Sequence, residues 1–344
     1  MATRKWLTLR LLPNDGKPNH QPELDGFRGL AVLFVLLAHS SHAGYNPLGI
    51  DFNHFGSVGV YLFFVLSAYL INRQMLEALA AQRATPKFWL RYALRRVLRI
   101  YPMYLLALIV SYVLYVNGFG GPIHNVDGIL KHLSLTEAKG VFWTIPVEVA
   151  YYLISPLLVL ALWPLYRVRP WLAMLVLLTA ALALWFLRYQ HVEMPLFLRF
   201  APVLAFGTLL AMAQRRLRLP GGIGLAVFAL VLTTVPSAAR ALFGASMFHG
   251  YTYTAAYGLA WALILYQALY HEVALSALGR WKPLRYLGTL SFSIYLLHLP
   301  VLSLCEALLP VAWVMPTFIA GTLLASILTF TFVERPMAQL KLRF

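Results

Sequence analysis

Apolar runs of membrane-spanning length recur from about residue 27 almost to the C-terminus, each closed by charged residues, proline or glycine. A helix needs about 20 predominantly apolar residues to cross a hydrocarbon core of ~30 Å. With charges and Pro/Gly marking the ends, the pattern predicts ten helices, at roughly 27–44, 56–72, 97–117, 142–163, 170–188, 198–213, 221–237, 251–271, 285–304 and 312–333. The longest polar connections, 73–96 and 118–141, are too short to fold by themselves. The expected fold class is therefore all-α: a polytopic membrane protein of about ten transmembrane helices, one domain over 1–344, with bilayer burial in place of a soluble core.

Composition sharpens this. The chain is 60% hydrophobic and 12% charged, which no ordinary soluble domain matches. Its mean hydropathy is +0.71. A net charge of +16 would raise nucleic acid as a partner, but there is hardly any polar surface to carry such a field. Topology explains the charge instead. With the N-terminus in the cytoplasm, 23 of the 28 Lys and Arg residues fall on the cytoplasmic side of a ten-span chain, and both termini are expected there. The expected location is a cell membrane, with a bacterial cytoplasmic membrane as the setting. Residues 1–26 read as a cytoplasmic N-terminal segment without an h-region or cleavage site, so the first span is expected to act as an uncleaved anchor. The single cysteine, Cys305, sits in an apolar run and reads as a packing residue. No internal repeat is apparent, which argues against an inverted-repeat transporter.

Ionisable residues inside spans are expensive, about 2.5–3.5 kcal/mol at the helix centre, and so point to function. His39, Glu148 and His298 survive that filter, with Arg28, Arg96 and Arg99 at helix ends. Arg28 and His39 are eleven residues apart, which at 100° per residue returns to within about 20° and separates them by ~16 Å along the axis. One helix thus presents a cation and, further along the same stripe, an imidazole. Arg96 and Arg99 share a face at i and i+3, where guanidinium forks suit a polyphosphate. Glu148 lies roughly 10 Å into its span, at a depth similar to His39, where a carboxylate could orient an imidazole acting as base. Plainer readings stand beside these: a snorkelling Arg28, hydrogen-bonded core histidines at 39 and 298, an arginine cluster produced by topology alone, and a protonated Glu148. His54, His124, His132, His191 and His249 read as surface residues of the connections, with no spacing for a metal site.

In order along the chain, Leu24-Asp25-Gly26-Phe27-Arg28-Gly29-Leu30 through His39, Gly59 to Ser67 with Phe63-Phe64, Arg95-Arg96-Val-Leu-Arg99-Ile-Tyr101-Pro102, Trp143 to Glu148, and Ser291 to His298 resemble the membrane acyltransferase-3 family. Two departures are visible. Ala68 follows Ser67 where the family more often has Gly, and Pro146 stands where Ser is common. The resemblance implies transfer of an acyl group, most often acetyl, from coenzyme A to an acceptor hydroxyl, frequently on a cell-surface sugar. It implies His39 and Glu148 as catalytic groups, Arg28, Arg96 and Arg99 as the coenzyme site, and Asp25, Ser67, Trp143, Tyr152 and His298 in the pocket. Longer members carry a fused extracytoplasmic domain, which this chain is expected to lack.

The expected partners are acyl-CoA as co-substrate, with no tightly bound cofactor and no metal, a hydroxylated acceptor, expected to be a carbohydrate, and the bilayer, but no nucleic acid. Acylation of a small natural product such as a glycosylated antibiotic is one alternative. A proton-coupled transporter of an organic anion or acyl group is another, built from the same buried His, Glu and basic vestibule.

Overall fold

A computed structural model describes residues 12, 20–46, 49–214, 216–217, 219–244 and 253–340. Arg4, Lys5, Arg10, Lys17, Arg215, Arg218, Lys341 and Arg343 of the charge tally, and His249, lie outside the described residues. Among those described, the secondary structure is helical, without strands. In chain order the helices are α1 (Pro22–His42), α2 (Phe55–Ala80), α3 (Pro86–Val116), α4 (Val126–Leu133), a 3₁₀ turn (Gly140–Trp143), α5 (Thr144–Val168), α6 (Pro170–Tyr189), α7 (Leu196–Ala213), α8 (Ile223–Thr234), α9 (Pro236–Phe243), α10 (Thr254–Tyr270), α11 (Ala274–Arg280), α12 (Lys282–Leu308), α13 (Val311–Thr329), a π turn (Phe330–Glu334) and α14 (Arg335–Gln339).

Local chemistry sets several of the boundaries. Proline opens α1, α3, α6 and α9, where its fixed φ suits the first turn and its missing N–H costs nothing. Thr85 Oγ1 accepts from the Phe88 amide at the start of α3, and Asn125 Oδ1 accepts from the Gly128 amide at the start of α4.

Among the described residues, eight helical segments are long and apolar enough to cross a membrane, or nine if the α8–α9 pair, bent by 84°, makes one span. The chain is thus a multi-pass membrane protein. The sequence pattern predicts ten, and the difference lies in two places. Pro236 breaks the 221–237 run into two short helices, because it cannot continue the ladder of α8. The 251–271 run coincides with α10, whose 17 residues stand at the short end of what crosses a hydrocarbon core.

The described residues form two compact units. One combines those of Met1–Ala80 and Leu153–Thr289; the other combines those of Ala81–Tyr152 and Leu290–Phe344.

In the first unit, helices approach through glycine. A Cβ added at Gly26 would stand 1.9 Å from the Gly279 carbonyl oxygen, and one at Gly29 would stand 1.8 Å from that of Leu284. From the opposite side, a Cβ on Gly288 would lie 1.7 Å from the Asp25 oxygen. Helix α1 therefore lies with its backbone against α11 and the start of α12, contact that only small residues permit. Gly59 of α2 meets the Ala31 carbonyl of α1, and Gly207 of α7 meets Val65 and Ala68 of α2. The Trp261 indole of α10 donates to the Val58 carbonyl at 3.0 Å. The consequence is an α2 enclosed on nearly every side, with Leu62, Phe64, Val65, Leu66 and Tyr69 fully buried. Helix α6 is the opposite case. Trp171, Leu175, Val176 and Phe186 are exposed along it, as expected of a helix facing lipid.

In the second unit, Tyr104 of α3 donates to the His132 carbonyl at 3.2 Å, and Tyr295 of α12 donates to the Val141 carbonyl at 2.8 Å. These bonds tie the segment between α3 and α5 to its neighbours. His132 corrects the surface reading from sequence: it is fully buried. Its Nδ1 donates to the Gly128 carbonyl at 2.8 Å and its Nε2 accepts the Lys139 amide at 3.1 Å, so the ring closes the connection in place of backbone pairing. His54, His124 and His191 are exposed.

The glycine contacts give a direct test. Gly29→Val is expected to lower the thermal stability of detergent-purified protein by more than the about 1–3 kcal/mol of ordinary core overpacking, because a backbone must move. Gly222→Ala, where an added Cβ meets nothing within 4 Å, should leave the melting temperature nearly unchanged.

Candidate active site

Helix α1 carries the candidate base. His39 is half-buried, and its Nδ1 lies 2.9 Å from the Val35 carbonyl one turn earlier. A carbonyl oxygen can only accept, so Nδ1 holds the proton and the neutral ring keeps its lone pair on Nε2. The helix itself thereby selects the tautomer a base needs. At the other end of α1, Asp25 Oδ2 lies 3.0 Å from His20 Nε2 and 3.8 Å from Arg285 Nη2, with the charge of Arg28 nearby. Arg285 is 5% exposed. A buried guanidinium is tolerable only beside a carboxylate, and this one stands beside Asp25. Arg28 and Ser67 are both half-buried in this unit, on α1 and α2.

The second unit gathers the other charged candidates. Tyr92, Arg96 and Arg99 follow one face of α3 at i, i+4 and i+7. The Arg96 guanidinium lies over two rings, 5.5 Å from the Tyr92 centroid and 5.6 Å from that of Tyr152. Such cation–π contacts strengthen when the cation is desolvated. Arg96 Nε is buried and has no hydrogen-bond partner among the described residues. Tyr92 donates to the Tyr152 carbonyl at 3.0 Å, and the Tyr152 hydroxyl donates to Glu148 Oε2 at 2.9 Å. Tyr152 thus joins Glu148 to the arginine face. Arg99 takes a different partner: its Nη1 lies 2.6 Å from Glu334 Oε2, and its guanidinium is 5.1 Å from the Phe292 ring centroid.

His298 is fully buried on α12, with Nδ1 donating to the Ile294 and Tyr295 carbonyls at 3.1 and 2.8 Å. Like His39 it holds its proton on Nδ1. Trp143, half-buried, ends the 3₁₀ turn that leads into α5 and Glu148. Among the described residues, no three His, Cys, Asp or Glu side chains come together as a metal site would require.

Within the units, then, the structure brings Arg28 to Asp25 in the first and joins Arg96, Tyr152 and Glu148 in the second. Two participants escape the sequence reading. Tyr92 looks like one more interfacial aromatic until its helical register with Arg96 is noticed. Glu334 falls one residue beyond the predicted last span, 312–333, and so outside the filter for charges inside spans. The π turn carries the buried part of the helix past that limit, and Glu334 is 6% exposed.

Comparisons with known proteins fall on most of the chain. The profile of a family described as an acyltransferase domain matches residues 21–333. Similar proteins include the peptidoglycan O-acetyltransferase OatA of Listeria monocytogenes, 26% identical over 92% of this chain and 55% of its own length. The putative peptidoglycan O-acetyltransferase YrhL of Bacillus subtilis is also 26% identical, over 92% of this chain and 54% of its own. A putative membrane-bound transacylase, BcsY of Komagataeibacter xylinus, is 26% identical over 97% of this chain and 87% of its own. The chain therefore spans about half the length of the first two relatives. No solved structure matches.

Tyr152 separates hydroxyl from ring in a testable way. Tyr152→Phe removes the donor to Glu148 but keeps a ring under Arg96, and should cost about 1–3 kcal/mol, as for a hydrogen bond to a charged group. Tyr152→Leu removes both, and its thermal unfolding in detergent should fall below that of Tyr152→Phe.

Proposed function

The chain belongs to that membrane acyltransferase family, and on this premise we propose that it moves an acetyl group from cytoplasmic acyl-CoA to a hydroxyl of a cell-surface or exported carbohydrate. The observation that carries the reading is the imidazole of His39, fixed by Val35 with its lone pair on Nε2, on the helix that also bears Arg28. The ~16 Å between the two residues is of the order of an extended pantetheine arm. A nucleotide held by arginines at one end and a thioester delivered to a base at the other both fit that spacing. The names of the two peptidoglycan O-acetyltransferases, together with a transacylase, support acetyl as the group and a glycan as the acceptor class.

In the proposed reaction His39 Nε2 takes the proton of the acceptor hydroxyl as that oxygen attacks the thioester carbonyl. The tetrahedral intermediate collapses with cleavage of the C–S bond, and the departing thiolate receives the proton from the imidazolium. The products are the acyl ester and free coenzyme A. Arg96, Arg99 and Arg28 take the phosphates, and Glu148 orients the base or the acceptor. Asp25, Ser67, Trp143 and His298 shape the pocket. The orientation follows from the charge tally, with both termini in the cytoplasm of a bacterial cell.

Purified protein in nanodiscs, supplied with acetyl-CoA and candidate glycans, tests this by thiol release and by mass spectrometry of the acceptor. His39→Ala should lower the rate by about 10²–10⁴, the usual contribution of a general base. Full transfer by that variant would overturn the assignment. Arg96→Gln should raise KM for acetyl-CoA with kcat nearly unchanged.

A further inference from the structure

Arg99 and Glu334 form a pair of unequal burial. The Glu334 side chain is 2% exposed and that of Arg99 is 38% exposed. A carboxylate this deeply buried requires both a cation and hydrogen bonds, and it has them. Oε2 takes Arg99 Nη1, and Oε1 accepts from the Ser293 hydroxyl. Since Ser293 must donate to the carboxylate, its own oxygen is left to accept, and Thr329 Oγ1 lies 2.9 Å away. Glu334 is thus held from behind by α12 and the end of α13, and it stands at the last position of the π turn. Such turns are rare and concentrate at functional sites.

Stability alone does not account for this arrangement, because well-packed apolar residues would serve a buried position as well or better. Its effect is on Arg99. A guanidinium has five N–H donors in a rigid fork. Glu334 engages one of its nitrogens, Phe292 lies against its face, and more than a third of the side chain remains exposed. One helical turn away, Arg96 is bracketed by Tyr92 and Tyr152. Both arginines are therefore fixed before any anion arrives, one by rings and the other by a buried carboxylate. This lowers the entropy lost when a phosphate binds.

We propose that Glu334 is the positioning residue of the donor's phosphate subsite: anchored by Ser293, it holds Arg99 with its open edge presented to a phosphate of acyl-CoA. The inference rests on the reading that acyl-CoA is the donor and that Arg99 meets its phosphates. It adds that this arginine works only through its carboxylate partner.

Two donors separate the possibilities: acetyl-CoA, and S-acetylpantetheine, which carries the same thioester but no phosphate. In nanodisc-embedded full-length protein, Glu334→Gln should lower kcat/KM for acetyl-CoA about tenfold, as for a lost charge-assisted bond, mainly through KM. It should leave kcat/KM for S-acetylpantetheine unchanged. Ser293→Ala, which keeps the ion pair but loosens its anchor, should show the same selectivity at a few-fold, and serves if Glu334→Gln does not fold. In an Arg99→Gln background Glu334→Gln should have no further effect on acetyl-CoA kinetics, and the double variant should melt above Arg99→Gln alone, which leaves a buried carboxylate unpaired. Equal losses with both donors would assign Glu334 a purely structural role and overturn the inference. If Arg99→Gln weakens acetyl-CoA while neither Glu334→Gln nor Ser293→Ala does, the inference falls and the phosphate site stands. If Arg99→Gln leaves acetyl-CoA kinetics untouched, the phosphate reading falls and the inference with it.

Discussion

The contact on which the first unit depends is backbone against backbone: α1 pressed at Gly26 and Gly29 onto Gly279 and Leu284, with Gly288 returning the contact at Asp25. In lipid, helices gain little from burying apolar surface against each other, so close approach and dispersion must supply what the hydrophobic effect supplies in water. The spacing of Gly26 and Gly29 puts both on one side of α1. The same approach sets the axial and rotational position of α1, and with it the places of Arg28 and His39. The glycines flanking Arg28 in Asp25-Gly26-Phe27-Arg28-Gly29 are thus as much a part of the site's chemistry as the arginine.

The two units place charge in an apolar setting by different means. In the first, Asp25 sits among His20, Arg28 and Arg285, a mixed cluster in which each group partly neutralises its neighbours. In the second, aromatic rings take the place of counter-ions for Arg96, while Arg99 has a carboxylate of its own. Two arginines three residues apart on one helix, which look interchangeable in sequence, therefore have unlike surroundings. Arg96 is held between two rings, and Arg99 is paired with Glu334.

Much of this was legible in the chain. Apolar run length located nearly all of the long helices, and the cost of ionisable groups in lipid singled out His39, Glu148 and His298, each of which the structure places in a defined hydrogen-bonded setting. Run length says nothing about bending, so Pro236 divides a stretch that composition alone reads as continuous. Nor does it reveal where a helix ends when a π turn prolongs it, and so Glu334 looked like the first residue of a tail. His132 departs from the sequence pattern for a related reason: a short connection between spans ordinarily faces water, and only tertiary packing against Phe142 and the Lys139 amide draws that ring inward. Partnerships such as Tyr92 with Arg96, or Ser293 with Glu334, depend on register and on distant segments, which a single sequence does not encode visibly.

The enclosure of α2 has a consequence for assembly. From Phe55 to Ile71 the helix carries no charged side chain, so as it enters the bilayer during synthesis lipid covers every side that α1 does not. Yet in the finished fold α1, α7 and α10 together have displaced nearly all lipid from it, through Gly59, Gly207 and the Trp261 indole. Two of those neighbours are made long after α2. The central helix must therefore wait in the membrane for most of the chain to emerge, and its maturation is an exchange of lipid tails for protein, completed late.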